Sequence, residues 1–228
     1  MTKTRIALIG GGPSALSILK KALRFCFQQL DDNDSVNGRA SPHLTFDIFE
    51  RNTALGKGMP YSKDGASWEH ITNISSDELA PFDETLLEWL RQQSTEYLAK
   101  YQIEKTKLHE KHVVPRLLFG EYLQAQFCEL IGRCRAAGIH VNVHLQCNVL
   151  DIKPSTADEN SPERASSPER VGSLERNNSP EPTNTDSRTG TNILTDTGWV
   201  TGFDKVVICT GHIWPKTHEG KVKGYFDS

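Results

Sequence analysis

Arg5-Ile6-Ala7-Leu8-Ile9-Gly10-Gly11-Gly12-Pro13-Ser14-Ala15-Leu16-Ser17-Ile18-Leu19 is the stretch on which the fold turns. Ile6 to Ile9 is a short apolar run, the pattern of a strand buried on both faces of a parallel sheet. Three glycines break it, and apolar residues then recur at helical spacing at Leu16, Leu19, Leu23 and Phe27. The order is strand, tight turn, helix. Gly10-x-Gly12-x-x-Ala15 matches the dinucleotide fingerprint G-x-G-x-x-G/A. Gly10 permits the sharp turn, and Gly12 lacks a side chain that would block a pyrophosphate. Ala15 is small enough for the helix to pack closely on the strand. Pro13 suits the first helical turn, where its missing N–H costs nothing. The free N–H groups and positive dipole end of the helix, around Ser14, then face a phosphate.

Working outward, Asp31 to Pro42 is a polar loop, and Leu44-Thr45-Phe46-Asp47-Ile48-Phe49-Glu50 alternates like a strand that ends on a carboxylate. In the fingerprint such an acid accepts hydrogen bonds from a ribose diol, ordinarily about 20 residues further on. Glu50 lies 40 positions after Gly10 (50 − 10), so the intervening loop reads as an insertion between helix and second strand. A solvated strand-end glutamate is the plain alternative. Arg51 beside it could instead suit a 2′-phosphate, which keeps NADP open. Leu55-Gly56-Lys57-Gly58-Met59-Pro60-Tyr61-Ser62 is a second glycine-rich turn, able to close over a pyrophosphate.

Trp68 to Ser76 is dense in hydrogen-bonding groups and precedes a helix expected over Glu84 to Arg91, with Leu86, Leu87, Trp89 and Leu90 for packing. A longer helix begins near Val113. Leu118, Tyr122, Phe127, Leu130, Ile131 and Cys134 recur along it, and Gly138 ends it. Ile139 to Leu145 reads as a strand, with Cys147 to Ile152 as a second one beside it. Pro154 to Asn192 has no aromatic residue and repeats a six-residue unit with serines at 161, 167, 173 and 179. Its composition predicts a disordered insertion, because too little apolar surface exists to offset the entropy of ordering. Asp196-Thr197-Gly198 predicts a hairpin turn, and Val206 to Cys209 another buried strand that runs into Thr210-Gly211-His212.

The chain has 228 residues, a net charge of −3 and 36% hydrophobic residues, so no global field draws it to nucleic acid or a membrane surface. No run approaches 18 apolar residues, which excludes a membrane-spanning helix from the expectation. Five scattered cysteines without a C-x-x-C pattern predict reduced thiols and a cytoplasmic setting. His109 with His112, and His140 with His144, have spacings that could suggest a metal. No carboxylate or cysteine set completes either pair, so no metal is expected.

Five segments together resemble the FAD/NAD(P)-binding proteins of the bacterial urate-hydroxylase type, relatives of the flavin monooxygenases that include ornithine and lysine N-hydroxylases. They are Ile9 to Ser17; Phe49-Glu50-Arg51 with Gly56 to Tyr61; His70-Ile71-Thr72-Asn73-Ile74; Pro115-Arg116 with Phe119-Gly120-Glu121-Tyr122-Leu123; and Val207 to His212. The resemblance implies an α/β, Rossmann-like, three-layer domain with a parallel central sheet and a β-hairpin or meander insertion, over residues 1–228 interrupted at 154–192. It implies FAD as cofactor, with NAD(P)H as electron donor and a small-molecule substrate. Gly10, Gly12 and Ser14 would meet the pyrophosphate, with Pro13 and Ala15 shaping the turn. Glu50, with Arg51 beside it, would meet the adenosine ribose. Val149 would present backbone to adenine, Thr210 and Gly211 would close the site, and Asn73 would approach the flavin. Arg116 matches a family arginine to which no role is assigned.

No second glycine fingerprint follows Gly211. The expectation is therefore the FAD-binding part of an oxidoreductase of the monooxygenase class, with a partner chain able to supply a missing C-terminal half. A non-catalytic nucleotide-binding or interaction protein derived from a truncated flavoenzyme is the alternative.

Overall fold

The computed structural model describes residues 4–31, 44–79, 82, 84–155 and 190–211. The Ser-Pro-Glu-Arg repeat, expected to be disordered, lies outside them; the edges of that expected insertion do not, and Pro154 pairs with Thr191 and Lys153 with Asn192 as strand residues. Four strands form a parallel sheet: β1 (Thr4–Ile9), β2 (Leu44–Glu50), β3 (His140–Leu145) and β7 (Lys205–Ile208), in the order β3-β2-β1-β7. Helix α1 (Pro13–Asp31) links β1 to β2. Two short helices, α2 (Leu86–Gln92) and α3 (Thr95–Ala99), lead to the long α4 (Arg116–Ala136), which returns to β3. Between β3 and β7 stands an antiparallel meander of β4 (Val149–Pro154), β5 (Thr191–Thr195) and β6 (Gly198–Phe203).

Side-chain alternation builds the layers. On one face of the parallel sheet Leu8, Phe46, Ile48 and Val141 pack against Leu16, Leu19 and Leu23 of α1 and Leu118, Phe127 and Ile131 of α4. On the other face Ala7, Ile9 and Phe49 pack against Ile193 and Phe203 of the meander. Strand β1 is thus covered on both sides, which is why its sequence is an unbroken apolar run. The result is helices, parallel sheet and meander in three layers, a Rossmann-like α/β arrangement.

Caps decide where the helices begin and end. The Thr85 hydroxyl accepts from the Glu88 N–H, and the Glu88 carboxylate accepts from the Thr85 N–H. This capping box starts α2 two residues later than the apolar pattern suggests. At the far end of α4, Gly138 has φ +81°; its N–H donates to the Arg135 carbonyl, and the Ile139 N–H to the Cys134 carbonyl. That pair of bonds is the Schellman termination which the glycine at this position predicts.

Two expectations are corrected. Strand β4 does not lie beside β3: it pairs antiparallel with β5 in the meander. Gln146 turns the chain out of the parallel sheet with φ +52°, and β4 shares neither edge with β3. Strand β7 is not buried throughout. Val207 packs on the helix side and Val206 on the meander side, but Ile208 is 65% exposed. Among the described residues nothing pairs with the outer edge of β7.

Strand β2 carries a charge into the middle of the sheet. Asp47 is fully buried, yet its carboxylate accepts from Arg5 Nε at 2.8 Å and Arg5 Nη2 at 3.0 Å. His144 Nε2 at 3.0 Å and Asn142 Nδ2 at 3.3 Å reach the same group from β3. Arg5 also lies over the Phe203 ring at 4.4 Å. Burial alone would raise the Asp47 pKa, but the bonds from Arg5 and His144 outweigh it and hold the carboxyl below its ordinary value. The lowered value means stability that is present above the unfolded aspartate pKa and lost as pH falls through the folded one. Arg5→Met is expected to cost about 2 kcal/mol. That is below the roughly 3–5 of a fully enclosed pair, because Arg5 reaches solvent and two partners remain. Urea unfolding at neutral pH measures the cost, and Asp47→Asn should flatten the decline of melting temperature on the acid side.

Candidate dinucleotide site

The C-terminal ends of β1, β2 and β7 converge on one cleft of about 410 Å³. This is the edge of an open α/β sheet at which ligands bind. Backbone bonds lock the converging strands: Gly10 N–H to the Phe49 carbonyl at 2.8 Å, Cys209 N–H to the Ile9 carbonyl at 2.7 Å, and Cys147 N–H to the Glu50 carbonyl at 3.0 Å. The Gly56 N–H donates to the Gly11 carbonyl at 2.7 Å, laying the second glycine-rich turn against the first.

The three glycines of the fingerprint have separate jobs. Gly10 has φ +99°, and a Cβ there would stand 2.5 Å from the Cys209 carbonyl oxygen, so it serves the turn and the approach of β7. Gly11 donates its N–H to Glu50 Oε2 at 2.8 Å. At Gly12 a Cβ would meet nothing closer than the Gly58 Cα at 3.5 Å; it would fit the fold and protrude between the two turns. The Gly12 carbonyl accepts the first helical bond, from Leu16 N–H at 3.2 Å. Among the described residues the N–H groups of Gly12, Ser14 and Ala15 have no hydrogen-bond acceptor. Unpartnered donors at the positive end of a 19-residue helix suit an anion. A cradle that a Cβ would fill, lined by such donors, fits the diphosphate of a dinucleotide.

Glu50 is 6% exposed and its carboxylate is fixed on both oxygens. Oε2 takes the Gly11 N–H and Oε1 the Asn52 N–H at 2.9 Å. Each oxygen keeps a further lone pair for a ribose hydroxyl, as an acid at this place in the fingerprint requires. The plain alternative of a solvated strand-end glutamate does not describe this side chain.

The structure brings most of the expected residues together. Gly10, Gly12, Pro13 and Ser14 line the cleft from the fingerprint, and Glu50 and Arg51 line it from the end of β2. Val149 faces it from the start of β4, where a register shift between Val149 and Asp151 bends the strand, and Thr210 and Gly211 close it. Two expected residues lie elsewhere. Ala15 is 0% exposed and packs in the core between α1 and the sheet, the close approach for which its small side chain was read. Asn73 is exposed and not among the lining residues.

The segment carrying Asn73 is held by Val114 and by Arg116, the first residue of α4. Thr72 N–H donates to the Val114 carbonyl at 2.8 Å, Arg116 N–H to the His70 carbonyl at 2.8 Å, and Arg116 Nε to the Ile71 carbonyl at 3.1 Å. Arg116, left without a role by the sequence, is this clamp.

Met59, Pro60, Cys147, Asn148 and Cys209 also line the cleft. The glycine-rich turn could have pointed to Met59 and Pro60; nothing local marks the other three. Burial raises the pKa of both the Cys147 and Cys209 thiols, so they stay protonated and serve as apolar lining. All five cysteines are free thiols. Among the described residues no three His, Cys, Asp or Glu side chains are grouped to hold a metal ion, and no helix is long and apolar enough to cross a membrane.

Comparison with known proteins finds the following similarities. The chain is 30% identical over 230 residues to the uncharacterized protein YdhS of Escherichia coli (strain K12), covering 98% of this chain and 33% of that protein. It therefore spans about a third of the length of that curated relative. Among solved structures it is similar to the Diels-Alderase PyrE3 of the biosynthetic pathway of pyrroindomycins, with a TM-score of 0.35 and 14% identity, over 91% of this chain and 32% of that one. The FAD-NAD(P)-binding family matches residues 7–169, which include the fingerprint, Glu50 and Val149. With more than half of its length matched, including the fingerprint glycines and the Glu50 carboxylate, the chain belongs to the FAD-NAD(P)-binding family.

Proposed function

We propose that this chain binds FAD in the cleft between the two glycine-rich turns, as the FAD-binding part of an NAD(P)H-dependent oxidoreductase of the flavin monooxygenase class. The observation that carries the reading is the pairing of an unfilled Cβ position at Gly12 with a carboxylate at Glu50 held on both oxygens. On this reading the first-turn N–H groups of α1 bind the diphosphate, Glu50 accepts from the adenosine ribose, and Val149 backs the adenine. The flavin, when bound, supplies the redox chemistry; these residues bind and orient it and keep water away. On this reading residues 1–228 are one FAD/NAD(P)-binding domain, interrupted by the insertion at 154–192. The resemblance to urate-hydroxylase-type proteins supports hydroxylation as the reaction, and the single fingerprint in these 228 residues supports a nicotinamide site built by residues other than these.

Purified protein is expected to carry flavin absorbance that persists through desalting. A colourless protein that takes up no added FAD would overturn the reading and favour a non-catalytic protein. In stopped-flow mixing, the FAD-loaded chain alone should be reduced by NADPH or NADH no faster than free flavin. Rapid, saturable bleaching would place a complete nicotinamide site in this chain and remove the need for a partner.

A further inference from the structure

A second cleft, of about 390 Å³, lies on the outer side of the loop that follows Glu50. It shares Arg51, Asn52 and Gly58 with the dinucleotide cleft, so the same loop walls both. One wall is aromatic. Trp68 and Tyr101 stand with ring centroids 5.7 Å apart, and Trp68 is 58% exposed although it is the largest apolar side chain there. Tyr61 adds a third ring, held edge-on against Phe119 at 4.8 Å. The backing is rigid: a Cβ on Gly120 of α4 would stand within 2.1 Å of the Tyr61 carbonyl, so helix and loop are in direct contact.

The charged groups are not balanced. Arg51, Lys57 and Lys63 face Asp64 and Glu121, a net of one positive charge. Lys57 and Glu121 neutralise each other at 2.8 Å. Among the described residues Arg51 and Lys63 have no hydrogen-bonded or ion-paired partner, and the Asp64 carboxylate accepts from neither. An exposed aromatic wall beside unpaired cations is the chemistry that holds a flat ring by stacking and a carboxylate by charge-assisted hydrogen bonds. A cleft of this size, mostly preformed with a few polar groups, is within the range of small-molecule sites.

We infer that this second cleft binds a planar aromatic carboxylate, its ring stacked on Trp68 with its edge toward the tilted Tyr101 ring, and its carboxylate toward Lys63 and Arg51. This binding does not rest on the flavoprotein reading above, since the cleft meets the dinucleotide cleft only through Arg51, Asn52 and Gly58.

The test uses the whole chain, with naphthoate as the probe and calorimetry as the readout. Saturable binding is expected, at least about tenfold tighter than that of uncharged naphthylmethanol or of non-planar cyclohexanecarboxylate. Trp68→Ala and Lys63→Gln should each weaken naphthoate by about tenfold or more. Both side chains are exposed and outside the dinucleotide cleft, so melting temperature and FAD affinity should stay at wild-type values. Absence of saturable naphthoate binding, or binding that ignores both substitutions, overturns the inference. Equal affinity for naphthylmethanol overturns its charged half. Naphthoate binding by a protein that takes up no FAD supports the cleft while sinking the flavoprotein reading.

Discussion

Gly12→Val is expected to lower FAD affinity by at least about a hundredfold while the protein stays folded. The size follows from where the side chain goes. A Cβ at this position is 3.5 Å from the Gly58 Cα, an ordinary contact, and it points into the gap between the two glycine-rich turns. The valine methyl groups then occupy the space in which a diphosphate would lie against the backbone N–H groups of α1. Losing two or more hydrogen bonds to a charged group, at about 1.5–3 kcal/mol each, exceeds the roughly 2.7 kcal/mol that a hundredfold represents. Gly12→Ala should give a smaller loss in the same direction, with stability within about 1 kcal/mol of wild type. Flavin fluorescence titration measures the affinity and thermal unfolding the fold. Wild-type affinity in a folded Gly12→Val protein would falsify the assignment of this glycine to the diphosphate.

Gly10→Ala should behave in the opposite way, losing about 4 kcal/mol of stability. Two costs combine. A non-glycine residue held at φ +99° carries roughly 1–3 kcal/mol of backbone strain. The new methyl would also lie 2.5 Å from the Cys209 carbonyl oxygen and 2.8 Å from its carbon. Backbone cannot swing aside as a flexible side chain can, so the overlap adds about 1–3 kcal/mol and pushes β7 away from β1. Its mark is a lowered urea midpoint before any ligand is added, with Gly12→Val as the control. A Gly10→Ala protein as stable as wild type would show that the turn relaxes without moving β7.

Residues two positions apart in one motif are thus expected to separate fold from binding, and the division bears on what sequence can reveal. The strand, turn and helix from Ile6 to Leu19 were legible because each rests on a local rule. An apolar run, a glycine break and a 3.6-residue period need no knowledge of the rest of the chain. The Schellman end of α4 and the hairpin turn at Asp196-Thr197 are of the same kind, since a glycine in the required conformation announces both. Glu50 was legible as a carboxylate at the end of β2 despite its long spacing from the glycines, because an insertion in a loop leaves strand and carboxylate unchanged.

Pairing in space was not legible. Ile152 and Ile193 face each other in the meander although the insertion separates them in sequence, and no periodicity says which earlier strand β4 will leave. Strand β7 has the composition of a buried strand, yet its place at the end of β3-β2-β1-β7 leaves Ile208 in solvent. Asp47 reads as the polar position of a half-exposed strand. Arg5, Asn142 and His144, brought in from the two neighbouring strands, make its burial tolerable.

By itself the sequence determined the local elements, the glycine cradle and the carboxylate at the end of β2. Each of these depends on neighbours within one turn or one strand. The tertiary structure decided which glycine the packing requires and which leaves a gap in the cleft, because that depends on whether Cys209 or open space lies opposite the missing Cβ. It also decided that Trp68, Tyr101 and Lys63, drawn from two loops, line one cleft, since loop packing follows from the closing of the core beneath and has no period to betray it.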